Sequence, residues 1–390
     1  MIARTAFSFV VALLIVSPFV FANAVSGQDS KAPDNATAVS KEQAIATGVE
    51  QLLKIQNDDG AWPYEGVYRV DRKIPVGYRI GGTAICCEAL LYATPADHQS
   101  ANDAIARGID LILKELKHPN MKPSQEDRYD VRVWGHIYAL DLFCRVLAEN
   151  RLPTLEKEIK PWIPKLTAAV LHQELKSGGW NYANHRHHAG FVTAPAVQAL
   201  LWARSAGEEI DDEVFQRAAD AIARSRNQEG AFAYSGDENE KRPALLPGSI
   251  ARSANCELTL ALLGLEGKDA IQFSINAFHE HWNELEKRRK KSGTHKPPYG
   301  VAPYYFYYGH RYAAQAIQRL PEANQPAEFE KLFKVFLKTR DPDGTWNDRV
   351  FDRSKAYGTA MVILGLLEHK APLPAENRLT IDSEPGEEKD

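Results

Sequence analysis

Two histidines, His136 and His310, occur in similar company. Around the first lie Tyr129, Asp130, Arg132 and Trp134. Ahead of the second, the run Tyr304-Tyr305-Phe306-Tyr307-Tyr308 leads through Gly309 into His310 and Arg311. A histidine can take or give a proton near neutral pH, and a neighbouring tyrosine or aspartate can act with it as acid or base. His136, His310, Tyr307 and Asp130 are therefore the expected catalytic groups. Arg132, Arg252 and Arg311 suit a carboxylate or phosphate, which a guanidinium grips with two parallel N–H groups. Trp134 and Tyr304 offer ring faces to a sugar or a cation. A lone histidine in such a stretch is as often a structural bridge between helices, and tyrosines also serve packing. His185, His187 and His188 crowd together as well, but no cysteine or acid completes a zinc set at that spacing. Neither a metal nor a cofactor is expected.

Groups so far apart in sequence need a scaffold to bring them together, and the chain repeats. Six times a polar-faced helical stretch ends in a loop and a more apolar stretch follows. The clearest loops are Gln56-Asn-Asp-Asp-Gly60-Ala-Trp62, Gln173 through Gly178-Gly-Trp180, Asn227-Gln-Glu-Gly230-Ala-Phe232 and Asp341-Pro-Asp-Gly344-Thr-Trp346. Hairpins two and five lack the glycine-aromatic pair and carry long loops instead, 117–133 and 290–308. Apolar residues recur at helical spacing, as in Ile85, Ala89 and Tyr92, and no alternating strand pattern stands out. Pro153, Pro161, Pro321 and Pro326 fall between hairpins, where proline breaks a helix. The second stretches align on Thr83, His136, Thr193, Ser253, His310 and Thr359, polar in all six copies. Five residues later come Glu88, Asp141, Gln198, Leu258, Gln315 and Leu364. An arginine lies near each start: Arg79, Arg132, Arg186, Arg252, Arg311 and Arg353. Six helical hairpins without polar end caps predict a closed ring, an all-α (α/α)6 toroid over residues 44–370. The aligned polar positions would then lie near the mouth of its central cavity.

The Gln-x3-Gly-x-Trp loop resembles the QW repeat of squalene and hopene cyclases, and is similar to the repeats of protein prenyltransferase β subunits. The resemblance spans roughly residues 44–370 and implies the toroid. It also implies that Trp62, Trp180 and Trp346 staple inner to outer helices. It does not carry the chemistry. No Asp-x-Asp-Asp motif occurs: Gln56-Asn-Asp-Asp59 lacks the first Asp, and Glu209-Ile-Asp-Asp212 lies between hairpins. The zinc-binding Asp-x-Cys of the prenyltransferases has Ala254 where the Asp should stand, two residues before Cys256.

The ends bound the location. Residues 1–24 read as a signal peptide, with Arg4, an apolar core and Ala22-Asn-Ala24 as the cleavage site. A secreted or periplasmic protein without stable membrane insertion is expected. Residues 25–43 read as a flexible linker, and 371–390 as a disordered acidic tail. Four cysteines are too few for a disulfide scaffold, and a net charge of −4 provides no field for nucleic acid. The expected partner is a small molecule or oligosaccharide, with oligomeric state left open. Three functions fit: an exported toroid that binds a ligand in its cavity, a polysaccharide lyase or glycosidase using Tyr, His and Arg at the cavity mouth, or a terpenoid-processing enzyme with an altered acid.

Overall fold

In the computed structural model, described for residues 39–64, 73–125, 129, 131–182, 186–265 and 267–379, the chain is helical throughout, with two isolated β-bridges. The first three hairpins are α1 (Lys41–Ile55) with α2 (Val76–Ala93), α3 (Gln99–Glu115) with α4 (Arg132–Glu149), and α5 (Pro153–Ile159) plus α6 (Ile163–His172) with α7 (Gly190–Ser205). The last three are α8 (Asp212–Arg224) with α9 (Leu246–Leu262), α10 (Lys268–Glu286) with α11 (Phe306–Ile317), and α12 (Gln325–Thr339) with α13 (Lys355–Leu366). Pro161 lies in the break between α5 and α6.

The ring is closed. The second helices pack in the order α2, α4, α7, α9, α11, α13, and α13 returns to α2. The first helix of each hairpin sits outside them, and α1 closes the outer layer against α13. Burial separates the layers. Outer α8 buries Val214, Phe215, Ala218, Ala219, Ala221 and Ile222, one apolar stripe at helical spacing. Inner α11 buries all of its residues. The chain is thus an α/α toroid. Its inner helices begin about one to two turns earlier than their Thr-Ala signals. No helix among the described residues is long and apolar enough to cross a membrane.

The loops hold the layers together in one repeated geometry. The indole N–H groups of Trp62, Trp180 and Trp346 donate to the carbonyls of Leu52, Val170 and Phe336, each at 2.8 Å. Their backbone N–H groups donate to the hydroxyls of Thr83, Thr193 and Thr359 at 2.9, 3.0 and 3.0 Å. All three rings are fully buried. The loop glycine is obligatory: Gly60 has φ +89°, and a Cβ there would lie 2.4 Å from the carbonyl oxygen of Arg107.

Residues 371–379, which composition assigns to the acidic tail, run extended along the ring. Asn377 and Leu379 donate backbone hydrogen bonds to Leu262 and Leu263 at the end of α9, at 2.9 and 3.0 Å. They satisfy carbonyls that a helix C-terminus leaves open.

Candidate ligand-binding cup

Two positions recur near the ring axis, and in most copies the sequence fills them with aromatics. The residue two past the staple aromatic is Tyr64, Tyr182 or Tyr234 in hairpins one, three and four. The residue two before the aligned polar position is Trp134, Phe191, Tyr308 or Tyr357 in hairpins two, three, five and six. All seven side chains line one cavity of about 250 Å³ at the N-terminal ends of the inner helices. Hairpin one has Gly81 at the second position, because the Trp134 ring occupies that space: a Cβ would come within 2.2 Å of it. Tyr78, Tyr304, Tyr305, Thr294 and His295 complete the wall.

The rings support one another. Tyr64 packs on Tyr357 and Tyr78 at 4.5 and 5.3 Å between centroids, and Tyr78 on Trp134 at 5.4 Å. Across the cup, Phe191 stacks on Tyr234 at 5.4 Å, and Tyr234 meets His295 edge-on at 4.5 Å. The Tyr182 and Tyr234 hydroxyls lie 2.8 Å apart, and the Tyr304 hydroxyl lies 2.7 Å from Nε2 of His295. Burial pushes the hydroxyls of Tyr304, Tyr305, Tyr308 and Tyr357 well above the ordinary tyrosine range, so they remain protonated donors.

One turn further along the same helices the axis closes. Tyr138 and Tyr312 bring their hydroxyls to 3.3 Å. Arg311 grips both oxygens of Glu88 at 2.7 and 2.8 Å. Arg145 bonds Asp141 at 2.8 Å and approaches Glu88 at 3.4 Å. Burial is the largest influence on Glu88 and pushes its carboxyl up, against Arg311 and Arg145. This charged plug makes the cavity a dead-end cup rather than a pore.

The nine expected site residues divide sharply. Trp134 and Tyr304 line the cup. His136 and His310 do not; both turn outward. Nδ1 of His136 lies 2.9 Å from Nε2 of Gln173, the staple-loop glutamine of the next hairpin. His310 accepts the indole N–H of Trp282 at 2.8 Å, and its Nδ1 lies 2.6 Å from the carbonyl oxygen of Phe306. Burial pulls His136 down to about 4 and His310 to about 3, so both are neutral. The correction has a physical reason. The aligned polar position faces the outer layer in every copy that keeps its tryptophan, where Thr83, Thr193 or Thr359 receives the staple. In hairpins two and five a histidine at that position bonds an outer-layer side chain instead, Gln173 or Trp282.

Tyr307 also faces outward and donates to the carbonyl of Thr339 at 3.3 Å. Arg132 donates to the carbonyls of Asn120 and Ser124, at 2.7 and 3.4 Å, within the long loop of hairpin two. Arg252 donates to those of Phe232 and Gly248, at 3.0 and 2.9 Å. Arg311 belongs to the plug. Asp130 lies outside the described residues. The aromatic run splits as helix geometry requires: Tyr304, Tyr305 and Tyr308 face the cup, while Phe306 and Tyr307 face away.

The tyrosines two past the staple were legible as Gly-x-Trp-x-Tyr or Gly-x-Phe-x-Tyr but carry no familiar catalytic signature. In hairpin six the same position is Asp348. It does not line the cup; its carboxyl is buried and no side chain hydrogen-bonds either oxygen. Burial pushes it up to about 7, against Arg349 and the backbone of Tyr307. No carboxylate among the described residues lines the cup. The cup can therefore stack on a ligand and donate hydrogen bonds to it.

No family model and no curated protein matches the sequence. Among solved structures, the chain is similar to the GH76A alpha-1,6-mannanase of Salegentibacter sp. HEL1_6, whose inactive variant was solved with alpha-1,6-mannotetrose. The TM-score is 0.56 at 13% identity, over 84% of this chain and 99% of that one. It is also similar to the type II terpene cyclase MstE from Scytonema, with TM-score 0.52 at 15% identity over 85% and 98% of the two chains. At such identities the likeness is one of fold. A glycosidase and a terpene cyclase both share the α/α toroid found here.

Proposed function

We propose that this protein is an exported toroid whose aromatic cup binds the end of a saccharide. The observation that carries this reading is the composition of the cup. Eight tyrosines, one tryptophan and one phenylalanine line it, with no charged Asp, Glu, Lys or Arg among the described lining residues. A sugar ring has an apolar C–H face and a rim of hydroxyls. Tyrosine answers both, with its ring on the face and its hydroxyl at the rim. A cup built for hydrocarbon alone gains nothing from so many hydroxyls. The mannanase likeness supports the reading, and the signal-peptide pattern read from the sequence of residues 1–24 supports export.

The terpenoid reading keeps one supporting observation. Asp348 is a buried carboxyl held largely protonated just below neutral pH, the state an acid that protonates an alkene requires. The same titration separates the two. Trp134 lies in the cup wall, so its fluorescence should respond to occupancy. A panel of manno-, gluco- and xylo-oligosaccharides is titrated alongside geranylgeraniol. A saccharide response in the unmodified protein that is lost in Tyr182→Ala, with melting temperature retained, supports the proposal. A response to geranylgeraniol and to no saccharide overturns it.

A further inference from the structure

Beside the cup lies a second, larger space. A groove of about 1050 Å³ runs beneath the loop 233–245, and Tyr234 lines both. Tyr234 is held at this threshold by the Tyr182 hydroxyl and the Phe191 ring. The groove differs from the cup in chemistry. Its walls carry Asp237, Glu238, Asn239, Lys241 and Arg242, together with His188.

His188 is the informative residue. It is 1% exposed, it lines the groove, and apart from the backbone of Ala221 its ring nitrogens have no hydrogen-bond partner. Buried imidazoles ordinarily find partners. Nε2 lies 4.0 Å from Oδ1 of Asp237, too far for a direct bond. One hydroxyl oxygen about 2.8 Å from each atom would bridge them. Asp237 also pairs with Arg224 at 3.2 Å, which orients its carboxylate.

We propose that the ligand is an oligosaccharide whose terminal unit occupies the cup and whose following units lie in this groove, with a hydroxyl of the chain bridging His188 and Asp237. This rests on the cup reading and deepens it. The plug of Glu88, Arg311, Arg145 and Asp141 blocks threading through the ring, so the chain enters by its end. The groove walls fit hydroxyls. An isoprenoid tail there would desolvate charges without replacing their hydrogen bonds.

The test is calorimetry on the full-length protein with a ladder of one to five units of whichever sugar binds. Affinity should rise about tenfold or more from one unit to three, as groove contacts add to cup contacts. Asp237→Asn and His188→Gln should each weaken binding of the trimer and longer ligands about fivefold, the worth of one hydrogen bond, and leave the monosaccharide unchanged. Asp237 is exposed, so its variant tests the bridge even if His188→Gln does not fold. Equal affinity for one unit and for four, or equal loss for both in Asp237→Asn, overturns the groove and leaves the cup standing. Absence of all saccharide binding overturns both.

Discussion

Asp348→Asn should stabilise the protein relative to wild type increasingly as pH rises. The Asp348 carboxyl is fully buried with no side-chain hydrogen bond to either oxygen. Burial raises it from an ordinary 3.8 to about 7. The folded state therefore holds this proton more tightly than the unfolded state does. The stability associated with the proton is fully present below about pH 4, falls progressively toward pH 7, and is gone above it. A shift of about three units corresponds to about 4 kcal/mol at pH 8. Asparagine cannot ionise, so it escapes that loss, but its amide brings a cost independent of pH, roughly 1–3 kcal/mol if unpaired. The quantity to read is thus the change in the difference between the two proteins, about 2.5 kcal/mol between pH 5 and pH 8. For a chain of this size that is about 3 °C in melting temperature. Thermal unfolding of both proteins across pH 5–8.5 provides the measurement. A difference that stays constant with pH, or that grows as pH falls, would refute the argument that burial outweighs every favourable partner of the Asp348 carboxylate.

Two further outcomes follow from contacts that face away from the cup. His310→Ala leaves the indole N–H of Trp282 buried without an acceptor, and should cost about 1–3 kcal/mol in addition to the cavity it opens; an unchanged melting temperature with lost ligand binding would restore a catalytic histidine. Glu88→Gln strands the buried guanidinium of Arg311 and should cost about 3–5 kcal/mol, while Glu88→Leu combined with Arg311→Met should recover most of that loss in denaturant unfolding; no recovery would mean that the charges serve more than to satisfy each other.

Much of the architecture is local, and so it was legible. A helix declares itself by the spacing of its apolar residues, and a staple loop by a glycine and an aromatic at fixed separation. Six such units predict a closed ring without knowledge of any long-range contact, and α13 does meet α2. Trp62, Trp180 and Trp346 sit where that loop grammar puts them, between the layers.

Which face of an inner helix looks at the axis is a different kind of question. An outer helix such as α8 has one apolar and one polar side, so its sequence states its orientation. An inner helix such as α11 is buried all round, and its sequence shows no polar side turned to solvent. The polar residues that align there, Thr83, His136, Thr193, His310 and Thr359, look like a cavity lining, but they turn to the outer layer to receive or replace the staple. The cup is built from positions two residues away, at Trp134, Phe191, Tyr308 and Tyr357. Arg132, Arg252 and Arg311 show the same limit: a guanidinium among loops could meet a ligand, a carbonyl or a carboxylate. Partners from other segments of the chain occupy each of them here. The amino-acid sequence by itself determined the six hairpins and the pairing within them, because those follow from short-range patterns. Only the closed ring decided which side chains meet at its axis, because a helix surrounded by protein carries no solvent-facing side to orient it.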